Sequence, residues 1–331
     1  MLRLPPFEYH EPQSIEAALA LKQEAGNHGM YVAGGTDLYP NMKRRHQEPT
    51  VVISLSRIAD LRQTSKGSNG GLTVGSGLTL TEVANHEVSN THPAVAHAAR
   101  LVSTPLLRNT GTLGGNLCLD TRCNYYNQSY EWRKAIDFCM KKDGAICWVA
   151  PSSPRCWAVQ SSDVAPVMVA LDAEYVLASP AGERVVPAGR FYHDDGIDYL
   201  TKQRDEILTA VRLPAPNGWD ATYWKLRRRG SFDFPVLGVA IRLDWLDGTV
   251  ERATIVLGAV SSHIQRVEDA ETAVIGTSLD DSAIDAAATA AFKPSKPMDN
   301  TDFGLAWRKE MTRVYVRGAL RELRDRQPAG R

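Results

Sequence analysis

All five cysteines of this chain, Cys118, Cys123, Cys139, Cys147 and Cys156, fall within fewer than forty of its 331 residues. The last four are separated by fifteen, seven and eight residues. Thiols so crowded are either ligands of a metal centre, partners in bridges, or an inert set of buried side chains. An odd count leaves one thiol over in any framework of bridges. Four thiolates suit the tetrahedral preference of zinc, but structural zinc sites mostly use paired close knuckles. Here only Cys118 and Cys123 come near that spacing, and long loops follow. A [4Fe–4S] centre tolerates scattered ligands better, because each thiolate reaches a different iron corner. No histidine lies among these cysteines, and an all-thiolate set is what iron–sulfur chemistry selects.

The surroundings of the thiols are unusual too. Tyr125, Tyr126, Tyr130, Trp132, Phe138, Trp148 and Trp157 interleave with them and read as an apolar wall or as the small core of a long loop. Arg122, Arg133, Lys134, Lys141, Lys142 and Arg155 supply positive charge that would balance four thiolates, or would form a solvated face. Cys118 follows directly on a glycine-rich run and is expected to face the domain core as a non-ligand.

Two glycine stretches carry the second chemical signal. GGTDL begins at Gly34 straight after an apolar run, and NTGTLGGN spans residues 109–116. Glycines at such positions either form an ordinary turn or take positive φ angles, turn successive amides toward one point and let a phosphate approach the backbone. Neither is a Walker sequence or the dinucleotide fingerprint of a Rossmann unit. Two such nests can grip the two phosphates of one pyrophosphate, and a flavin dinucleotide is the natural candidate. No Ser-His-Asp set, HExxH or CxxC pair occurs, and the eight histidines are scattered singly. Hydrolysis by such groups is therefore not expected, whereas electron transfer needs only cofactors held at close range.

The elements that must hold these groups alternate. Ser14–Ala25 reads as a helix capped by Ser14; Met30–Ala33, Pro49–Leu55 and Leu72–Gly75 read as short strands. Residues 75–87 continue into a helix with Thr81 at its N-terminus, and Thr91–Leu107 reads as one longer helix between Pro93 and Pro105. After the cysteines, residues 164–178 read as a helix start feeding a strand, and Glu206–Arg212 as a strand that ends at the rigid LPAP of residues 213–216. Strands then dominate through Val260, and Arg266–Ile275, Asp281–Ala291 and Gly304–Leu323 read as helices before a polar tail, RDRQPAGR, expected to fray. The length suits two or three packed units: residues 1–216, in subdomains of about 1–55 and 56–216 with an insertion at about 118–158, and an α+β unit at 217–331. Lysine plus arginine equals aspartate plus glutamate at 38 each, so no attraction to nucleic acid or an anionic membrane is implied. No apolar run approaches the roughly twenty residues of a membrane span, and no signal-peptide pattern opens the chain. A cytoplasmic, reducing location is expected, where thiols serve more often as ligands than as bridges.

Taken in order, AGGTDL (33–38), LRNTGTLGGNL (107–117), SDVAPVMVALDAEY (162–175) and KLRRRGSFDFPVLGVAIRL (225–243) resemble the FAD-binding medium subunits of the molybdenum hydroxylases, the xanthine dehydrogenase family. The resemblance covers nearly the whole chain. It implies an α+β fold class: a two-subdomain FAD-binding domain of the vanillyl-alcohol-oxidase-like type, followed by a domain like the C-terminal domain of the CO dehydrogenase flavoprotein. It also implies that Val32, Ala33, Gly34, Gly35, Thr36, Asp37 and Leu38 wrap the FAD pyrophosphate and ribityl region. Thr112, Gly115 and Asn116 would form a second grip, Asp163 would bind toward the adenosine, and Lys225 would lie near the isoalloxazine; Gly77 and Val102 are looser matches. About forty residues separate the GGN and S-D blocks where most members have a short connection. That departure resembles the 4-hydroxybenzoyl-CoA reductase branch, and it implies a [4Fe–4S] cluster on Cys123, Cys139, Cys147 and Cys156. The expected partners are a large molybdenum-cofactor subunit and a small subunit with two [2Fe–2S] clusters, arranged as a dimer of heterotrimers, with ferredoxin as donor in anaerobic aromatic degradation. The alternatives are an oxidative molybdenum hydroxylase passing electrons to NAD, and a zinc-stapled structural subunit.

Overall fold

A computed structural model describes residues 2–85 and 87–326. The end of the polar tail, from Gln327 on, lies outside the described residues. Three sheets follow one another along the chain. The first has three parallel strands, with Val51–Ser54 between Glu8–His10 and Gly29–Val32. The helix Ile15–Ala25 packs on it, its first turn closed by Ser14, whose hydroxyl accepts from the Ala17 N–H. The second sheet is antiparallel, in the order Thr64–Lys66, Leu72–Gly75, Ile207–Leu213, Glu174–Ser179 and Gly182–Pro187. The third is also antiparallel, from Gln265–Arg266 through Thr249–Gly258 and Leu237–Leu246 to Trp219–Leu226.

The third sheet is covered by the helix Leu305–Arg326, against which the helix Asp281–Phe292 packs. The longer one buries Arg308, Thr312, Val316, Ala319, Leu320 and Leu323, a single stripe at helical spacing. Asp280 caps the shorter one, accepting from the Ala283 N–H at 2.9 Å. Among the described residues no helix is long and apolar enough to cross a membrane.

Between the second and third sheets sits the helix Val164–Ala170, VAPVMVA, buried at every position. A helix apolar on all sides has to be enclosed on all sides. Its residues share one core with Tyr175 and Val211 of the second sheet and with Ala240 and Val256 of the third. The backbone of the third sheet comes so close that a Cβ on Gly258 would stand 2.6 Å from Pro166 Cγ. This helix fixes how the C-terminal domain sits on the rest, and it starts at Asp163.

Three local expectations need correction. The helix Leu80–Asn85 is capped by Thr79, not Thr81: Thr79 Oγ1 accepts from Glu82 N at 3.2 Å and Glu82 Oε2 accepts from Thr79 N at 2.8 Å, a reciprocal capping box. The Thr81 hydroxyl instead donates to Asn109 Oδ1. The stretch 91–107 is not one helix. Pro93–Leu101 ends before Ser103, whose φ is 45°, and Pro105 opens a separate short helix, Pro105–Arg108, capped by Thr104; proline is favoured in a first turn and not at an end. Finally, Gln265–Arg266 is an edge strand, and the helix that follows spans only Glu268–Thr272.

Gly258→Ala is expected to overpack the Pro166 contact and to destabilise the protein by about 1–3 kcal/mol. Thermal unfolding of the variant checks this, and an unchanged melting temperature would show that the sheet yields freely there.

Candidate functional site

The two glycine stretches meet. Gly34 lies so tightly on the second stretch that a Cβ would stand 1.9 Å from the Thr110 carbonyl oxygen, while Gly35 has φ 69°. One glycine allows the approach and the other turns the chain. Among the described residues the backbone N–H groups of Gly35, Thr36, Asp37 and Leu38 donate to no protein acceptor. Four consecutive free amides beside a left-handed residue form the kind of concave donor array that binds anions. They open on a cavity of about 1250 Å³, larger than the ~300–1,000 Å³ of ordinary small-ligand sites.

Val32, Ala33, Gly34, Gly35, Thr36, Asp37, Leu38, Gly77, Val102, Thr112, Gly115, Asn116 and Asp163 all line this cavity. Several of them shape it through other contacts. Thr112 Oγ1 accepts from the Gly115 N–H at 3.1 Å and caps the short helix Leu113–Leu117. Asn116 Oδ1 accepts from Ser162 Oγ at 2.7 Å and Val164 N at 3.3 Å, which holds the segment around Asp163 in place. Lys225 stands apart from the lining. Its Nζ donates to Asp163 Oδ2 at 2.9 Å and to the Leu101 carbonyl at 2.9 Å, and the Tyr223 hydroxyl donates to Asp163 Oδ1 at 3.0 Å. The two residues therefore form one buried ion pair, rather than marking opposite ends of a dinucleotide. Burial pushes the Asp163 carboxyl up and the Lys225 amine down, and each charge partly counters the effect on the other.

The cysteine-bearing loop opens from the same place. Arg122 and Val159 exchange backbone hydrogen bonds of 2.8 and 2.7 Å, which close its neck. From the neck the Arg122 guanidinium pairs with Asp37 of the first glycine stretch and lies 4.6 Å from the Phe234 ring. Beyond the neck Cys123, Cys139, Cys147 and Cys156 are all buried. Cys123, Cys139 and Cys156 share a small apolar core with Tyr126 and Ala158, against which Tyr125 and Trp148 pack. The neighbouring Cys156 thiol holds Cys147 below the usual thiol range, and the same pairing pushes Cys156 up. Burial pushes Cys123 up to about 12. The apolar wall is smaller than its aromatic content suggests, since Tyr130 and Trp132 are exposed. Of the basic residues, Arg133 and Lys141 are enclosed rather than solvated. Cys118 packs on the main core, away from the quartet, and burial pushes it up to about 11. Among the described residues no three histidine, cysteine or carboxylate side chains converge as ligands of a single metal ion do.

Residues 5–216 match the FAD binding domain in molybdopterin dehydrogenase, and residues 221–323 match the CO dehydrogenase flavoprotein C-terminal domain. The chain is an FAD-binding medium subunit of the molybdenum hydroxylase family. It is 28% identical to the carbon monoxide dehydrogenase medium chain of Hydrogenophaga pseudoflava over 96% of each chain. It is also 31% identical to the aldehyde oxidoreductase FAD-binding subunit PaoB of Escherichia coli, over 77% of this chain and 81% of that one. The solved carbon monoxide dehydrogenase of H. pseudoflava superposes with a TM-score of 0.82 at 26% identity, covering 98% of this chain and 100% of its own.

For such a medium subunit the free amides, the glycine contact and the volume of the cavity fit FAD. Bound there, FAD supplies reversible one- and two-electron chemistry, while the protein supplies binding, orientation and charge. Several cavity residues were not singled out from the sequence for this role: Ser103, Asp120, Tyr199, Lys202 and Phe232. Phe232 lies inside the KLRRRGSFDF block, and Asp120 and Arg122 lie within the DTRC that begins the cysteine loop, so proximity in sequence to the motifs was their available signal. Gly34→Ala is expected to force the two glycine stretches apart and to weaken FAD retention at least about tenfold, ~1.4 kcal/mol. In Gly115→Ala the new Cβ would meet only Thr112 Oγ1 at 3.1 Å, and retention should change much less. Flavin absorbance per chain after gel filtration tests the difference, and equal retention would count against the cradle.

Proposed function

We propose that this medium subunit is the electron-relay chain of a molybdenum-containing reductase of the 4-hydroxybenzoyl-CoA type. In this reading a ferredoxin-like donor reaches the molybdenum centre on a large subunit and the [2Fe–2S] centres on a small one by way of a [4Fe–4S] cluster and FAD held here. The observation that carries the reading is the buried quartet Cys123, Cys139, Cys147 and Cys156 in a loop whose neck pairs with the flavin cradle through Arg122 and Asp37. Four thiolates around one zinc must all lie within about 2.3 Å of it. A cubane spreads the four over separate irons, which suits thiols grouped around a small apolar core. A cluster bound there would supply one-electron chemistry. The protein's part is to bury the thiols, exclude water with Tyr125, Tyr126 and Trp148, and place positive charge nearby. The substrate would be bound by the large subunit, so the activity belongs to an assembled complex, arranged as a dimer of heterotrimers in a cytoplasmic setting.

A second reading is an oxidative molybdenum hydroxylase passing electrons to NAD, and it is favoured by the similarity to carbon monoxide dehydrogenase and aldehyde oxidoreductase subunits. Activity of the intact complex with reduced ferredoxin, compared with NADH, separates the two. For the cluster itself, Cys139→Ala or Cys156→Ala should remove the [4Fe–4S] signal and its irons while most FAD stays bound, and Cys118→Ala should spare both. Iron, sulfide, zinc and flavin contents are the readout. About four irons per chain is the expectation; zinc in their place, or loss of iron in the Cys118 variant, would refute the ligand set.

A further inference from the structure

Lys141 belongs to the cysteine loop, yet its side chain is only 6% exposed. Its Nζ donates to Asp120 Oδ1 at 2.8 Å, to Thr121 Oγ1 at 2.6 Å and to the Gly196 carbonyl at 2.6 Å. It also lies 5.0 Å from the Tyr126 ring and 5.3 Å from the Tyr199 ring. These partners belong to two neighbourhoods. Asp120 and Tyr199 line the flavin cavity. Gly196, three residues before Tyr199, donates its N–H to the Cys156 carbonyl at 3.0 Å, and a Cβ on it would stand 2.7 Å from Cys156 Sγ. One ammonium is thus shared between the cysteine quartet and the cavity wall.

The Asp120 carboxylate is as enclosed as its partner, at 9% exposed. Removing both charges from water costs several kcal/mol per ion, which mutual attraction often fails to recover. Stability alone is therefore a weak reason for the pair. In a medium of low effective dielectric, however, a fixed charge acts strongly on any neighbouring group whose own charge changes. Reduction adds negative charge, so a nearby cation favours the reduced form and a nearby anion opposes it.

We propose that Lys141 is a positioning residue coupling the two sites: it pins the Gly196–Tyr199 segment against the flavin cavity, and its charge, countered by Asp120, sets the reduction potentials on both sides. The flavin half of this proposal rests on family membership, and the half concerning the cysteine-bound centre rests on the proposed function. The test uses the assembled complex with Lys141→Met, Lys141→Arg and Asp120→Asn. Flavin and iron are counted first, and dye-mediated redox titration then follows flavin absorbance and, separately, the cluster's electron paramagnetic resonance signal. Lys141→Met should move the flavin midpoint to more negative potential, Asp120→Asn should move it to more positive potential, and Lys141→Arg should restore it toward wild type. A merely structural role would lower flavin content without shifts of opposite sign. Unchanged midpoints in both charge variants, or shifts in the same direction, overturn the proposal. If Lys141→Met does not assemble, the sign of the Asp120→Asn shift decides. A wild-type complex with no iron beyond that of the small subunit's [2Fe–2S] centres would sink the cluster reading, while the flavin shifts would still decide the role of Lys141.

Discussion

The contact on which the site depends is steric: the Cα of Gly34 rests against the carbonyl of Thr110, where no side chain can fit. It brings the loop after the strand Gly29–Val32 against the turn between the helices Pro105–Arg108 and Leu113–Leu117, and among the described residues it leaves the backbone amides of residues 35–38 without a protein acceptor. Other contacts are anchored to it. Asp37 leaves the first stretch to pair with Arg122 at the neck of the cysteine loop. Asn116 leaves the second to hold Ser162 and Val164, and so sets where Asp163 stands. A concave set of backbone donors, a loop entrance and a domain-joining helix are in this way referred to one close approach of backbone.

The second constraint is the enclosed pair of Asp163 and Lys225. Asp163 precedes the all-buried helix Val164–Ala170, and Lys225 lies on the first strand of the C-terminal sheet. Breaking such a pair by removing one partner strands a buried charge at a cost of about 3–5 kcal/mol. The pair therefore locks the orientation of the C-terminal domain to the floor of the flavin cavity, on which Asp163 stands. Lys225 keeps the domains in register, while Asp163 also lines the cavity.

The cysteine loop is irregular, with one short helix, Tyr130–Ala135. Asp137, Phe138 and Asp143 take positive φ around Cys139, a conformation that costs each such residue about 1–3 kcal/mol and persists only where the surroundings impose it. The loop is held by contacts to other parts of the chain: Asn300 donates to the Trp157 carbonyl, and the Asn300 carbonyl accepts from Asn124. Burying four thiols, three of them in one small core, is an account of why irregular, strained backbone is retained there.

The chain's order of residues was enough to mark both glycine stretches, the S-D block, the cysteine quartet and the separate standing of Cys118, because each is a local pattern of residue types whose chemistry does not depend on distant neighbours. Cap positions were less legible: whether Thr79 or Thr81 closed a helix turned on where Glu82 pointed, and the break at Ser103 needed a left-handed residue that nothing in its side chain demands. What only the tertiary structure decided is which charges meet. Lys225 was read as lying apart from Asp163, although they are bonded across sixty-two positions. Tyr130 and Trp132 were read as wall or loop core and are exposed, while Lys141, read either as balancing the thiolates or as part of a solvated face, is enclosed. Burial and pairing arise from chain segments brought together by folding, and a side chain's identity records its chemistry but not its company.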